Sequence, residues 1–125
     1  MEKLYESGED YLERILMLKE KNDIVRSIDV ANDMKLTKQS VHRAIKTFKE
    51  NGFVIVEDNG NIILTEKGLA VAKKTYERHR VITTILIEIG VPKDIAAKDA
   101  CKIEHDISEE TFQILKKKAS ELDEK

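Results

Sequence analysis

Residues 35–66, KLTKQSVHRAIKTFKENGFVIVEDNGNIILTE, carry two hydrophobic periods in succession. Val41, Ala44, Ile45 and Phe48 recur at i, i+3, i+4 and i+7, which marks one face of a helix running from Thr37 to about Glu50. Thr37 predicts the N-cap, because its hydroxyl can take an otherwise unpaired amide of the first turn, and Gly52 predicts the stop. The chain then switches to two β-rich runs, 53–57 and 61–65, around Asp58-Asn59-Gly60, a turn that favours a hairpin.

Working outward from there, residues 6–21 read as a helix with Tyr11, Leu12, Ile15, Leu16 and Leu18 on one side and Ser7 as its cap. The NDIVR stretch, residues 22–26, interrupts it. Ser27 predicts the cap of a short second helix through Met34, with Ile28, Ala31 and Met34 turned inward, and Lys35-Leu36 make the following turn. Three helices followed by a two-stranded hairpin form a winged helix-turn-helix, placed here over roughly residues 6–66 within a first domain of 1–66. Residues 66–90 then predict one long helix closed by Gly90, with Leu69, Ala72, Tyr76 and Leu86 on its seam and His79 among them. Pro92 suits the first turn of a fifth helix. Ser108 suits the cap of a sixth, whose stripe is Phe112, Leu115, Ala119 and Leu122. The fold class is therefore mainly α, with the wing as its only sheet and an all-helical second domain over 67–125. Those last helices are apolar enough on one side to expect packing on the first helix and on a second copy of the chain.

Composition narrows what such a chain can do. It has 125 residues, 37 % of them charged, and a net charge of −2, so any nucleic-acid site has to be a local patch. A single cysteine excludes an intramolecular disulfide and makes a reducing cytoplasm the simpler compartment. The opening MEKLYESGED is polar and acidic, unlike a signal peptide, and no apolar run approaches the roughly 20 residues that cross a bilayer.

The local patch is residues 35–49, with five Lys or Arg side chains and no acid. Lys38, Gln39, His42, Arg43 and Lys46 point away from the apolar stripe of the third helix, where long donors can reach base edges and phosphates in a major groove. Thr37 and Ser40 stand at its start, within reach of phosphate. A solvated helix face would carry the same residues; the hairpin that follows tips the reading towards double-stranded DNA. The wing tip, EDNGN, is acidic or neutral and is not expected to grip phosphate strongly.

A second constellation lies in DACKIEHDIS, residues 99–108. On a helix Cys101, Glu104 and His105 fall at i, i+3 and i+4, on one patch offering a thiolate, a carboxylate and an imidazole. Taken alone, a small buried cysteine beside a solvated pair explains them as well. Asp10 and Glu13 form an acidic pair on the first helix, open to the plainer reading of dipole compensation. His79 interrupts an apolar seam, as a satisfied core histidine also does. The three features gain weight together, since their helices are ones expected to share a core.

With EDYLERILML (9–18), LTEKG (64–68) and ERHR (77–80), the DACKIEHDIS stretch gives the chain a resemblance to the diphtheria-toxin-repressor family of metal-dependent transcriptional repressors, over about Gly8 to Lys118. In lacking an SH3-like C-terminal domain it is similar to the compact manganese transport regulators. The resemblance implies a homodimeric repressor of palindromic operators, activated by Fe(II) or Mn(II), with Zn(II) or Co(II) as in vitro substitutes. It implies metal ligands at Asp10, Glu13, His79, Cys101, Glu104 and His105. Asp10 and Glu13 are of manganese type, and Cys101 is the thiol of the iron branch where the manganese branch has Glu. Thr83 and Ala97 stand where the iron branch's ancillary site calls for a carboxylate and a histidine. A thiolate is softer than a carboxylate and shifts preference towards Fe(II), Co(II) or Zn(II). The alternative is a metal-independent winged-helix transcription factor whose cluster is vestigial or holds a structural ion. An enzyme is not expected, for no glycine loop of oxyanion type accompanies Cys101 and His105.

Overall fold

A computed structural model describes residues 6–123 of the chain, with side chains over residues 8–122. The described residues form six helices and one two-stranded antiparallel sheet: α1 (Glu6–Lys21), α2 (Ser27–Met34), α3 (Lys38–Glu50), β1 (Val54–Val56), β2 (Ile62–Leu64), α4 (Glu66–Glu88), α5 (Lys93–Ile103) and α6 (Glu109–Asp123). The chain divides into two compact units, one ending at Lys73 and the other beginning at Lys74. The mainly α architecture, an N-terminal winged helix-turn-helix followed by an all-helical part, is the one the sequence predicts.

In the first unit the core gathers Leu12 and Ile15 of α1, Val25, Val30 and Ala31 around α2, Val41, Ile45 and Phe48 of α3, and Phe53, Val54 and Ile62 of the hairpin. Phe48 is its hinge point. Its ring meets Tyr11 edge-on at 5.8 Å and Phe53 at 6.3 Å, so α1, α3 and β1 are fixed against one side chain. The hairpin pairs Val54 with Leu64, Ile55 with Ile63 and Val56 with Ile62. Its loop closes with the Gly60 amide donating to the Glu57 carbonyl at 2.8 Å and the Glu57 amide to Asn61 at 2.9 Å. Gly60 sits at φ +88°, the left-handed position such a three-residue loop requires. The strands are shorter than the runs 53–57 and 61–65, because Phe53 and Thr65 serve the junctions: the Thr65 amide donates to the Phe53 carbonyl at 3.1 Å.

Several local expectations need correction. Arg26, not Ser27, is the N-cap of α2; its amide donates to the Asp29 carboxylate at 2.8 Å, which fixes the helix start one residue earlier. Ile28 is 37 % exposed, since Val30, Ala31 and Met34 form the inward face of this short helix and Ile28 lies about 200° from Val30 around its axis. Pro92 is the N-cap of α5, not part of its first turn. The Ser7 cap lies on a side chain outside the described residues. Thr37 and Ser108 cap as expected, accepting the amides of Ser40 and Thr111, each at 3.1 Å.

In the second unit Ile82, Ala96, Ala100, Phe112 and Ala119 are buried, so α4, α5 and α6 each contribute a face. The stripe on α6 is as predicted, with Leu115 and Leu122 half-buried beside Phe112 and Ala119. On α4 the buried face is Ala72, Thr75, Arg78 and Ile82, while Leu69, Tyr76, His79 and Leu86 are half-buried along its edge.

Thr65 caps α4 by accepting the Gly68 amide at 3.1 Å, which draws the helix start onto the backbone of Phe53. A Cβ at Gly68 would press on the Phe53 carbonyl oxygen. Gly68→Ala should therefore lower the unfolding free energy by about 1–3 kcal/mol, the usual cost of overpacking. A urea melt checks this, and an unchanged midpoint would contradict it.

Candidate nucleic-acid interface and metal centre

α3 presents its polar side because its apolar side is occupied. Val41, Ile45 and Phe48 are buried, and Thr37, Lys38, Gln39, Ser40, His42, Arg43 and Lys46 are exposed. Among the described residues Lys38, Arg43 and Lys46 make no ion pair, so their charge is available to an anionic partner. Thr37 is less available than expected. Its hydroxyl accepts the Ser40 amide and donates to the Ser40 hydroxyl at 2.9 Å, so it holds the helix start. Lys38, Gln39 and His42 also line an open cleft with Ser27 and Ile28 of α2.

The second unit brings four of the predicted ligands together. Glu104, whose side chain has no solvent exposure, faces His79 through one oxygen, 3.0 Å from Nδ1. Its other oxygen lies 3.5 Å from Nε2 of His105, which is itself 3 % exposed. Cys101 is a half-buried free thiol with its sulfur within 4.8 Å of a Glu104 oxygen. In the first unit Asp10 and Glu13 stand a turn apart on α1; Asp10 is half-buried and Glu13 only 4 % exposed.

The local path differs from the predicted one. Cys101 lies in α5, but the helix ends at Ile103; Glu104 is its C-cap and His105 belongs to the turn beyond. The cause is Arg78, which the sequence reading passed over. Its guanidinium, 8 % exposed as a residue, donates to the carbonyls of Glu104 at 3.1 Å and Ile107 at 3.0 Å. It also lies 3.8 Å from the Glu109 carboxylate and 5.2 Å from the Phe112 ring centroid. These carbonyls are held by a side chain instead of continuing the helix ladder. The only sequence signal was spacing: Arg78 lies three residues after Thr75 and four before Ile82, on the buried face of α4. The Asp106 amide donates to the Ile103 carbonyl at 3.0 Å, which tightens the turn where Glu104 faces His79 and His105 faces Glu104.

The donor chemistry suits a divalent transition metal. A carboxylate without solvent exposure is costly unless a cation or protonated partner compensates it, and this one has imidazole nitrogens against both oxygens. Oxygen, nitrogen and sulfur donors of graded softness are those of first-row metals. At Thr83 and Ala97, both half-buried, the chain offers a hydroxyl and a methyl, so the ancillary carboxylate–imidazole pair is not there.

Comparison with known proteins agrees with both halves. Residues 3–62 match the N-terminal DNA-binding domain of iron-dependent repressors, and residues 65–125 match their metal-binding and dimerisation domain. The chain belongs to the iron-dependent repressor family. An uncharacterized helix-turn-helix transcriptional regulator of Methanocaldococcus jannaschii is 37 % identical over 113 residues, covering 89 % of this chain and 90 % of its own. The regulator MntR of Shouchella clausii is 33 % identical over 102 residues, covering 82 % of this chain and 71 % of its own. The structure of a manganese-dependent transcriptional repressor in complex with manganese matches with a TM-score of 0.81 at 27 % identity. That match covers 90 % of this chain and 52 % of the other, so the chain spans about half of that protein's length.

Arg78 makes the turn, so removing it should cost stability as well as metal affinity. Arg78→Ala should lower the unfolding free energy by about 3 kcal/mol, since charge-assisted hydrogen bonds contribute about 1.5–3 each. It should also weaken Mn(II) binding although every donor remains. Arg78→Lys cannot serve two carbonyls with one fork and should not restore either property. Calorimetric melting and metal titration of the three proteins check this; a variant matching the parent in both would contradict the assignment.

Proposed function

We propose that this chain is a homodimeric, metal-dependent repressor in which Fe(II) or Mn(II) favours binding to double-stranded operator DNA. The observation that carries the reading is the Glu104 carboxylate, shielded from solvent between His79 and His105 with the Cys101 thiol close by, in a chain of the iron-dependent repressor family. The proposed ligand set is Asp10, Glu13, His79, Cys101, Glu104 and His105. The proposed DNA contacts are Thr37, Lys38, Gln39, Ser40, His42, Arg43 and Lys46, with residues 1–66 as the DNA-binding domain and 67–125 as the metal-binding and dimerisation domain.

Bound there, a divalent cation supplies positive charge to a ligand set rich in carboxylates. The chain's own residues do the rest. Asp10, Glu13 and Glu104 carry like charge, and in the free protein their repulsion works against a fixed arrangement of the first helix. Ligands drawn from α1, α4, α5 and the α5–α6 turn would, with a metal bound, join that helix to the dimerisation helices. The two α3 helices of a dimer are then set at half-site spacing for a palindromic operator. Similar solved structures, one of a manganese regulator and one of a manganese-dependent repressor with manganese, support the manganese option. The thiol of Cys101 draws the preference towards softer ions, and Fe(II) is the slightly favoured choice. No helix among the described residues is long and apolar enough to cross a membrane, which fits a DNA partner in the cytoplasm.

A DNA mobility shift tests the function. A duplex selected from a random library by the full chain should shift with Mn(II), or with Fe(II) under anaerobic conditions, and not with chelator. Equal shifts in every lane would overturn the sensor reading. Cys101→Glu should move the metal ranking towards Mn(II), and an unchanged ranking would remove Cys101 from the selective ligands.

A further inference from the structure

We propose that Arg26, at the junction of α2 and the wing, is a contact to the DNA backbone, held in place by the wing tip. The proposal rests on the repressor reading above and adds a residue to its DNA surface.

The geometry around Arg26 is closed on one side and open on the other. Its backbone is committed to α2: the amide donates to the Asp29 carboxylate at 2.8 Å, and the carbonyl accepts the amides of Asp29 at 3.0 Å and Val30 at 3.3 Å. Its side chain turns across the hairpin, where Nε donates to the Asn59 carbonyl at 2.7 Å. The side chain packs along Gly60, where a Cβ would lie at van der Waals distance, 3.4 Å from Arg26 Cδ. The hairpin is itself tied to the same segment. Buried Asn61 accepts the Val25 amide at 2.9 Å and Lys19 Nζ at 3.0 Å, and the Ile62 amide donates to the Val25 carbonyl at 2.8 Å. The guanidinium thus leaves a rigid junction with one donor used.

Among the described residues the remaining donors have no partner. Arg26 is exposed and, among the described residues, makes no ion pair; the nearby Asp29 carboxylate binds its amide. Ser27 and Ile28, the next residues, line the cleft shared with Lys38, Gln39 and His42, so Arg26 borders the face that carries the recognition helix. The hairpin tip holds Glu57 and Asp58 and no cation of its own. Of the two cations held against the hairpin, Lys19 is committed to Asn61 and the Asp23 carbonyl, and Arg26 keeps its fork for another partner. A guanidinium pre-oriented by one hydrogen bond and keeping its planar fork suits a phosphate oxygen pair.

The test is the salt dependence of binding by the full chain with Mn(II), read by fluorescence anisotropy on the library-selected duplex. Each phosphate contact contributes about 0.9 to the slope of log K against log salt. With one Arg26 in each half of the dimer, Arg26→Ala and Arg26→Gln should each reduce the slope by about 1.8 and weaken binding about thirtyfold at physiological salt. Arg26→Lys should keep the slope. Discrimination between the selected duplex and a scrambled one should stay as in the parent, since a backbone contact carries no base information. If Arg26→Gln keeps the parent slope, or affinity falls with the slope unchanged, Arg26 serves the wing alone and the phosphate contact is overturned. If the parent chain binds no duplex, the repressor reading falls and this contact with it.

Discussion

A carboxylate with no exposure to water cannot be left uncompensated, and the second unit is organised around that constraint. Glu104 carries the charge, while His79 and His105 stand against its two oxygens from different elements. Holding them there requires the chain to leave α5 at Ile103 and turn before α6 starts. Arg78 enforces that turn through two carbonyls and leans on Phe112, so one buried cation ties α4 to the segment that carries Glu104 and His105. The four proposed ligands of this unit are thereby held close together. Only their charge remains to be balanced, which is what makes a divalent ion a fitting ligand.

The first unit solves a different problem, which is to expose cations without losing a helix. Among the described residues α3 holds Lys38, Arg43 and Lys46 free of ion pairs because Val41, Ile45 and Phe48 anchor its other side, and Phe48 links that anchor to α1 and the hairpin. The wing joins the same scaffold through Asn61, Thr65 and Arg26. A small rigid reader of this kind suits control by position.

The elements were largely legible in the sequence because their signals are local. Apolar period, the Thr37 and Ser108 caps and the Asp58-Asn59-Gly60 turn each act within a few residues. What escaped depends on partners far along the chain. Ile28 looked inward by period, yet α2 is short enough that Val30 and Ala31 take its buried face. The period predicts Cys101, Glu104 and His105 on one helix, whereas hydrogen bonds donated by Arg78, 26 residues before Glu104, end it earlier. Arg78 itself reads as a surface cation until its acceptors are known. The grouping of His79 with Cys101, Glu104 and His105 had no support from spacing alone; it came from the resemblance and from the expectation that these helices share a core.

The central claim is that metal and DNA act on one equilibrium, so each must change the other's affinity by the same factor. The direct measurement is the Mn(II) affinity of the full chain, with and without a saturating amount of the selected duplex. The account predicts a tightening of about 5–150-fold, equal to the gain in duplex affinity that Mn(II) produces. A Mn(II) affinity that is the same with and without the duplex would contradict it.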